Sequence, residues 1–536
     1  RGHNKEGETA MFVQQKRQRL LVHVLWLFSL MLLVLLGVVG CSASPNATAA
    51  DTYWRDSVQG MFNHGFRAYM EHAFPYDELQ PVSCVGVNNY GGVFLTLVDS
   101  LDTLAIMGNT SAFALSVDWL AQHLSFDLDQ EVSVFETNIR IVGGLLSAHL
   151  LASDKSLGLH PSYDGRLLPH IVDVVNRLMP AFDTPTGAPF GTINLRSGIK
   201  EGESRITATA GVGTFLLEFG ILSILTGNDT YRLAADKAAS FLFNSRSPIG
   251  LVGNHVDIFS GVFTHKDSGI GSGTDSFFEY LLKAYTLFGD TKYARMFSKL
   301  RRSINFWLRR QGWFFEAHMD YGTISWTLHN SLQSFWGGVE TLAGHLPSAL
   351  ESIQRFIGVW RLFGATPEGF NILSGTVQSG QRGYPLRPEL AESLYYLYRA
   401  TRDPVYRQMG RDIVIGLLQN CWTACGFSGL QDVETKELND RMDSFFLAET
   451  TKYLYLLFDD DNLVHRGQYV FNTEGHPFPV SVLWQLSEDP NPPERPLACR
   501  APSYLEMLSV EELELPKWAR TRTSVPHLGA QLPQPL

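Results

Sequence analysis

LTLVDSLDTLAIMGN (95–109), IRIVGGLLSAHLLASD (139–154) and TFLLEFGILSILTGND (214–229) share one design. Each has a small or acidic start, a helix-length apolar run rich in Leu and aromatics, and an end in a turn of Gly, Asn or Asp. The pattern returns as DSFFEYLLKAYTLFGD (275–290), SLQSFWGGVETLAGH (331–345), ESLYYLYRATRD (392–403) and SFFLAETTKYLYLLFDD (444–460). The intervals are long enough for a second helix, such as ADKAASFLFNSR (235–246) or YARMFSKLRRSINFWLRR (293–310). Those second helices carry a one-sided apolar stripe, whereas the recurring ones are apolar nearly all round and must be buried on every face. Repetition of this kind implies stacked units. The simplest arrangement is an all-α (α/α)7 barrel, with seven inner helices inside seven outer ones. An open helical solenoid would leave one face of each inner helix wet, and these sequences make no provision for that.

Working outward, the expected barrel occupies 54–478. Ahead of it lie an n-region (1–19) with Lys16, Arg17 and Arg19, an apolar run (20–40) and a polar linker (41–53). A basic flank followed by an apolar run is a secretory leader, read as a type II signal anchor or a cleaved signal peptide. Either delivers the chain to an oxidising lumen, with membrane attachment through the N-terminal segment if it is uncleaved. Sequons at Asn46, Asn109 and Asn228 agree with that compartment. The five cysteines then read as disulfide partners rather than metal ligands, and Cys84, Cys421 and Cys425 fall within the barrel. Prolines cluster from 477 onward, and 479–536 reads as a mobile tail. A net charge of −11 without any basic block argues against nucleic acid as a partner.

The informative anomaly is acid within apolar runs: Asp99 and Asp102, Glu136, Glu218, Asp275 and Glu279, Glu368, Glu389 and Glu392, and Glu449. A buried carboxylate is costly unless paired or coordinated. A single one is ordinarily a cap or a core ion pair. One or two per repeat suggest instead that the inner helices point acids at a common central cavity, with Arg140 and Arg387 partly balancing the charge. No HExxH or CxxC pair favours zinc, and no GxSxG elbow favours a serine nucleophile. SGIGSGTDS, before Asp275, lacks the lysine of a phosphate loop and reads as a tight turn. Glycoside hydrolysis needs two carboxyl groups, one to protonate the leaving oxygen and one to activate water or attack. Further acids can hold sugar hydroxyls or the waters of a hard cation.

VFETNIRIVGGLLSAHLL, YPLRPELAESLYYLYRAT, RMDSFFLAETTKYLYLLF and FNTEGHP closely resemble the motifs of glycoside hydrolase family 47, the class I α-1,2-mannosidases. HAFPYDELQPVSC and LTLVDSLDTLAIMGN resemble its ER degradation-enhancing branch, nearest the first paralogue. The resemblance implies Glu136 as general acid, Glu389 as general base, and Asp275 and Glu368 as two further acids of the catalytic set. It implies that Thr473 binds Ca²⁺ through its carbonyl and hydroxyl oxygens. Arg140, Glu218, Arg387, Glu392, Glu449 and Glu474 would surround sugar and ion, with Phe445 stacking on the mannose ring. A disulfide between Cys84 and Cys425 is implied by the same branch.

Three positions depart from the hydrolytic ER and Golgi enzymes. Gly273 stands where the strict ER enzyme has a branch-restricting arginine, Ser331 replaces an active-site histidine, and Ser334 replaces a disulfide cysteine. Asp443 replaces a glutamate usual even in the degradation-enhancing branch. The implied function is an ER α-1,2-mannosidase that trims high-mannose N-glycans on misfolded glycoproteins, with an ER oxidoreductase as an expected partner. The alternatives are a lectin-like protein using the same pocket without turnover, and a Golgi processing mannosidase. The intact acid set favours the enzyme.

Overall fold

The computed structural model describes residues 49–480, nearly all within one unit that begins at Asp51. The expected leader, the Asn46 sequon and all but the start of the proline-rich tail lie outside the described residues. Fourteen principal helices alternate along the described chain. They are α1 (Ala49–His72), α2 (Leu95–Ile106), α3 (Thr110–His123), α4 (Gly143–Ser153), α5 (Leu168–Leu178), α6 (Leu216–Thr226), α7 (Thr230–Asn244), α8 (Asp275–Phe288), α9 (Thr291–Trp307), α10 (Trp336–Leu342), α11 (Leu346–Phe363), α12 (Glu389–Thr401), α13 (Val405–Asn420) and α14 (Thr451–Phe458). The even-numbered helices are the seven repeats read from the sequence, and they form an inner ring. That ring closes where α2 packs on the turn leading into α14. The fold is the (α/α)7 barrel.

Burial explains the division. Every residue of α2 is buried. Outer helix α9 instead buries Tyr293, Met296, Phe297, Leu300, Ile304 and Trp307, a stripe at the spacing of one helical face. The run Thr209–Thr226 is apolar enough to cross a membrane, yet 83% of it is buried within the protein, so it is a core element.

The two ends of the barrel differ because the two kinds of connection differ. Inner helices pass to outer ones through tight turns; α6 and α8 end on Gly227 and Gly289 with φ of 68° and 75°, a conformation that costs glycine nothing. Sequons Asn109 and Asn228 lie exposed in two such turns, and the Asn109 side chain also caps α3. The return connections are longer and carry small hairpins. Among the described residues there are eight sheets of two or three strands, none with a strand longer than three residues. Several pair successive connections, as Glu131–Ser133 with Thr192–Asn194 and Ile206–Ala208 with His255–Asp257. They lace a rim around the end where the inner helices begin.

Two boundaries differ from the sequence reading. Helix α1 starts at Ala49, inside the stretch 41–53 read as a linker. Pro477 and Pro479 belong to a strand, Pro477–Pro479, paired with Tyr469–Phe471. Proline is tolerated in so short a ladder because edge positions need no N–H donor. The turn of this hairpin, 472–476, enters the ring from the end opposite the rim. Asn472 Nδ2 donates to Ile139 O at 3.0 Å and Ser147 Oγ to Pro477 O at 3.1 Å. Lys452 Nζ donates to Gly475 O at 2.7 Å.

Cys84 and Cys425 form a disulfide with a Cα–Cα distance of 5.7 Å, and Cys421 is free and buried. The bond joins the connection before α2 to the connection before α14, the first and last staves of the ring. Its ends are 341 residues apart in sequence. In the chain-entropy picture, removing so long a cross-link costs about 5 kcal/mol. Cys84→Ser/Cys425→Ser is therefore expected to unfold at markedly lower urea concentration than the parent; equal midpoints would refute a structural role for the bond.

Candidate active site

The inner helices start at the rim, and their first turns, with the turns leading into them, supply most of the central cavity's acids. Asp275 opens α8 and Glu389 opens α12. Glu136 closes a short helical turn capped by Ser133, whose Oγ accepts from Glu136 N at 3.2 Å. The cavity they face has a volume of about 500 Å³ and is also lined by Arg140, Glu279, Arg387, Glu392, Phe445, Glu449, Thr473 and Glu474. Two of these residues sit on π-helical turns, Arg140 on Thr137–Val142 and Glu449 on Phe446–Thr450. An extra residue in a helical turn re-aims side chains, and such turns occur often at functional sites.

Arg140 organises one wall. Its Nε donates to Glu136 Oε2 at 2.8 Å, and its Nη1 donates to Ser444 Oγ at 3.0 Å and lies 3.0 Å from Glu474 Oε1. The guanidinium also lies 5.3 Å from the centre of the Phe445 ring, while Arg387 approaches the same ring at 5.8 Å. Phe445 is thus an apolar floor held by two cations, suited to the C–H face of a sugar.

The carboxyl groups are far from ordinary. Burial pushes Asp275 and Glu389 each up to about 7, against the backbone N–H of Ser276 and the Arg387 charge respectively, and the Asp275 charge further raises Glu389. Burial raises Glu392 to about 8 despite Lys283. Glu449 and Glu474 are raised well above the usual carboxylate range, first by burial; the charges of Glu474, Glu392 and Glu389 add to the rise at Glu449, and Arg140 opposes it at Glu474. Carboxyl groups such as Asp275 and Glu389, raised into the neutral range, suit general acid–base chemistry.

Two residues implied as site groups stand behind the cavity. Glu218 is fully buried beneath the hairpin turn, accepting from Tyr280 Oη at 2.6 Å, Asn472 Nδ2 at 2.9 Å and Asn138 Nδ2 at 3.1 Å. Glu368 grips Arg387 with both oxygens, at 2.7 and 2.8 Å, and accepts from Ser331 Oγ at 2.7 Å. Glu368 is a lining residue of a neighbouring groove and not of the central cavity, which it reaches through Arg387. Arg387 holds it below the usual carboxylate range in spite of burial. Gly273, with φ of 85°, is packed by Asn254, whose Oδ1 a Cβ there would meet at 2.3 Å. Asp443 is ion-paired with Arg441 in the turn before Phe445.

Sequence reading missed the buried cations. Lys283 pairs with Glu279, lies 3.7 Å from Glu392 and donates to Asn472 O at 3.3 Å. Lys452 pairs with Asp102 at 2.5 Å. His476 places Nδ1 2.6 Å from Asp102 and Nε2 3.1 Å from Asp99. Lysine within YLLKAY and TTKYLYLL was the available signal: like the acids, a charge in an all-round apolar run needs a partner.

The donor set suits a hard cation held mostly through water. Among the described residues no three acidic, His or Cys side chains converge as a direct ligand set. Thr473 nevertheless lies in the hairpin turn and lines the same cavity as Glu389, Glu449 and Glu474, and Glu474 Oε1 is buried without a hydrogen-bond donor, its approach to Arg140 being off-axis. Oxygen ligands and surplus negative charge fit Ca²⁺.

The sequence profile of glycosyl hydrolase family 47 matches residues 61–480. "Alpha-mannosidase I MNS4" of Arabidopsis thaliana is 50% identical over 442 residues, covering 81% of this chain and 71% of its own. "ER degradation-enhancing alpha-mannosidase-like protein 2" of Mus musculus is 43% identical over 472 residues, covering 84% and 82%. The solved structure of an alpha-1,2-mannosidase from Trichoderma reesei superposes with a TM-score of 0.73 at 29% identity, covering 80% of this chain and 99% of that one.

Proposed function

The chain belongs to glycosyl hydrolase family 47 and is a glycosidase of the α-mannosidase type, and on that premise we propose that it removes terminal α-1,2-linked mannose from high-mannose N-glycans of misfolded glycoproteins in the ER, with inversion and dependence on Ca²⁺. The observation that carries this reading is the pair Asp275 and Glu389, two half-buried carboxyl groups on one cavity, each raised to about 7. Glu389 is the base that takes a proton from water, and Glu136 or Asp275 gives the proton to the leaving oxygen. Glu136 is aimed by Arg140, and Glu368 acts through Arg387 as a positioning group. Phe445 receives the ring face. Thr473 would hold Ca²⁺, with Glu389, Glu449 and Glu474 holding its waters. When bound, the ion supplies positive charge and fixed orientation for sugar hydroxyls. The matching degradation-enhancing relatives support the ER and glycoprotein part of the reading.

The stereochemistry tests it. Inversion requires a water between base and anomeric carbon, whereas retention requires direct attack by the carboxylate. Purified protein given a high-mannose oligosaccharide is expected to release β-mannose first, as read by proton NMR before mutarotation; α-mannose first defeats the scheme.

The ion has a signature outside turnover. Asp275, Glu389 and Glu392 have folded pKa values of about 7, 7 and 8, above their ordinary 3.8 and 4.5. Raised carboxyl groups contribute stability that is complete at low pH and is lost as pH rises through the folded values. In EDTA the thermal midpoint is therefore expected to fall between about pH 4.5 and pH 8, and excess Ca²⁺ to offset that fall. Identical curves with and without Ca²⁺ would remove the ion from the site.

A further inference from the structure

Glu78 stands outside the lining of the central cavity, in a short hairpin of Glu78–Gln80 with Val85–Val87, and is buried. Resting on the mannosidase reading, we propose that it is a positioning residue for hydrolysis, aiming Glu136 through Ser444 and Arg140. The line is continuous in hydrogen bonds. Glu78 Oε1 accepts from Ser444 N at 2.9 Å, across 366 residues of sequence. Ser444 Oγ accepts from Arg140 Nη1 at 3.0 Å, and Arg140 Nε donates to Glu136 Oε2 at 2.8 Å. The single proton of the Ser444 hydroxyl goes to Asp99 Oδ2, which leaves a lone pair for Arg140.

The reason for so distant a partner is local. Ser444 stands at the start of the helical turn that runs into the π turn Phe446–Thr450, and N–H groups in a first turn have no helical carbonyl to meet. A buried N–H needs an acceptor, and Glu78 supplies it from another strand. Its second oxygen, Oε2, accepts from Asn89 Nδ2 at 2.5 Å. Ser444 and Asn89 each precede an aromatic residue whose ring centre lies near the Arg140 guanidinium, Phe445 at 5.3 Å and Tyr90 at 5.9 Å. One carboxyl group thus ties together the two segments whose rings hold Arg140. Burial, and then the Asp443 charge, raise Glu78 to about 7, against Asn89, Arg140 and the Ser444 N–H. Glutamine is therefore a fair copy of this side chain: it keeps the acceptor for Ser444 N–H, and Asn89 can turn its carboxamide to meet the new NH2. The hairpin has other anchors, since Met442 N donates to Leu79 O at 3.3 Å and Cys84 is bonded to Cys425.

The experiment is a double-mutant cycle on a high-mannose oligosaccharide, comparing the parent, Glu78→Ala, Ser444→Ala and both together, each well below its thermal midpoint. Either single variant is expected to lower kcat/KM about ten- to hundredfold, mostly in kcat, the scale of a catalytic group displaced by up to about 1 Å. The double variant is expected to fall less than about threefold below the worse single one, because both break the same line, whereas unrelated structural damage multiplies. Glu78→Gln recovers most of what Glu78→Ala loses. If Glu78→Ala does not fold, Glu78→Asp, which draws the acceptor back by one carbon, takes its place in the cycle. Single variants with parental kcat/KM, losses that multiply, or a Gln variant as weak as the Ala one each overturn the line. If the parent cleaves nothing, the hydrolytic reading falls by itself, and the same cycle is read by titration calorimetry with a mannose-configured iminosugar, whose cation responds to where Glu136 is placed. Multiplying losses there, or no binding, overturn the positioning role.

Discussion

Glu389→Gln is expected to lower kcat by about 10³-fold while the dissociation constant for a high-mannose glycan moves less than about threefold. The side chain keeps its size and its place at the start of α12, so the cavity's shape and the Phe445 floor stand. What is lost is the ability to take a proton from water, and Glu389 is the raised carboxyl that Asp275 and Arg387 both bear upon. Single-turnover assays with calorimetric binding separate the two quantities. Glu368→Gln makes the contrast. It weakens the grip on Arg387 from outside the cavity, so its expected effect is about tenfold or less and falls mainly on KM. If Glu389→Gln retained more than a tenth of the parent's turnover, Glu389 would not be the base. If the parent itself showed binding without turnover, the lectin-like reading would replace the enzyme.

The fold was legible because an inner helix of a closed ring has no wet face. LTLVDSLDTLAI and GGLLSAHLLA are buried along their whole length, and no other simple arrangement buries seven such helices. The acids were legible for the same reason, since a carboxylate stands out in an apolar run. What stayed hidden is what depends on contacts distant in sequence. Glu218 and Glu279 look alike along the chain, yet only Glu279 lines the cavity, because Asn472 and Tyr280 close over Glu218. Glu368 is drawn off by Arg387, a partner 19 residues away. The plug formed by Tyr469–Phe471 and Pro477–Pro479 has strands of three residues, too short for an alternating pattern, and its prolines imitate the start of an unstructured tail. The π turns carrying Arg140 and Glu449 have no sequence signature of their own.

Lys452→Met is expected to destabilise the protein by about 3–5 kcal/mol, because it leaves a fully buried carboxylate short of its partner. Asp102 and Lys452 are both 0% exposed, and their ion pair is one half of a cluster completed by His476 and Asp99. Burial works against ionisation of Asp102, but the Lys452 and His476 charges outweigh it and hold the group below its usual value. The two flanking carboxylates likewise raise His476 against its own burial. Two carboxylates thus face an imidazolium and an ammonium, a neutral set that tolerates the interior only while complete. Removing Asp102 together with Lys452 takes away one charge of each sign, so Asp102→Asn/Lys452→Met should lose less than the sum of the single variants; the coupling is read from a double-mutant cycle in urea. The effect also reaches the site. Lys452 Nζ holds Gly475 O, and His476 anchors the far side of the same turn, so the turn that presents Thr473 loosens when the cluster is broken. Lys452→Met is therefore expected to lose the Ca²⁺-induced rise in thermal midpoint as well as global stability. A loss below about 1 kcal/mol, or strictly additive single and double variants, would show that the cluster is not what holds the plug in the barrel.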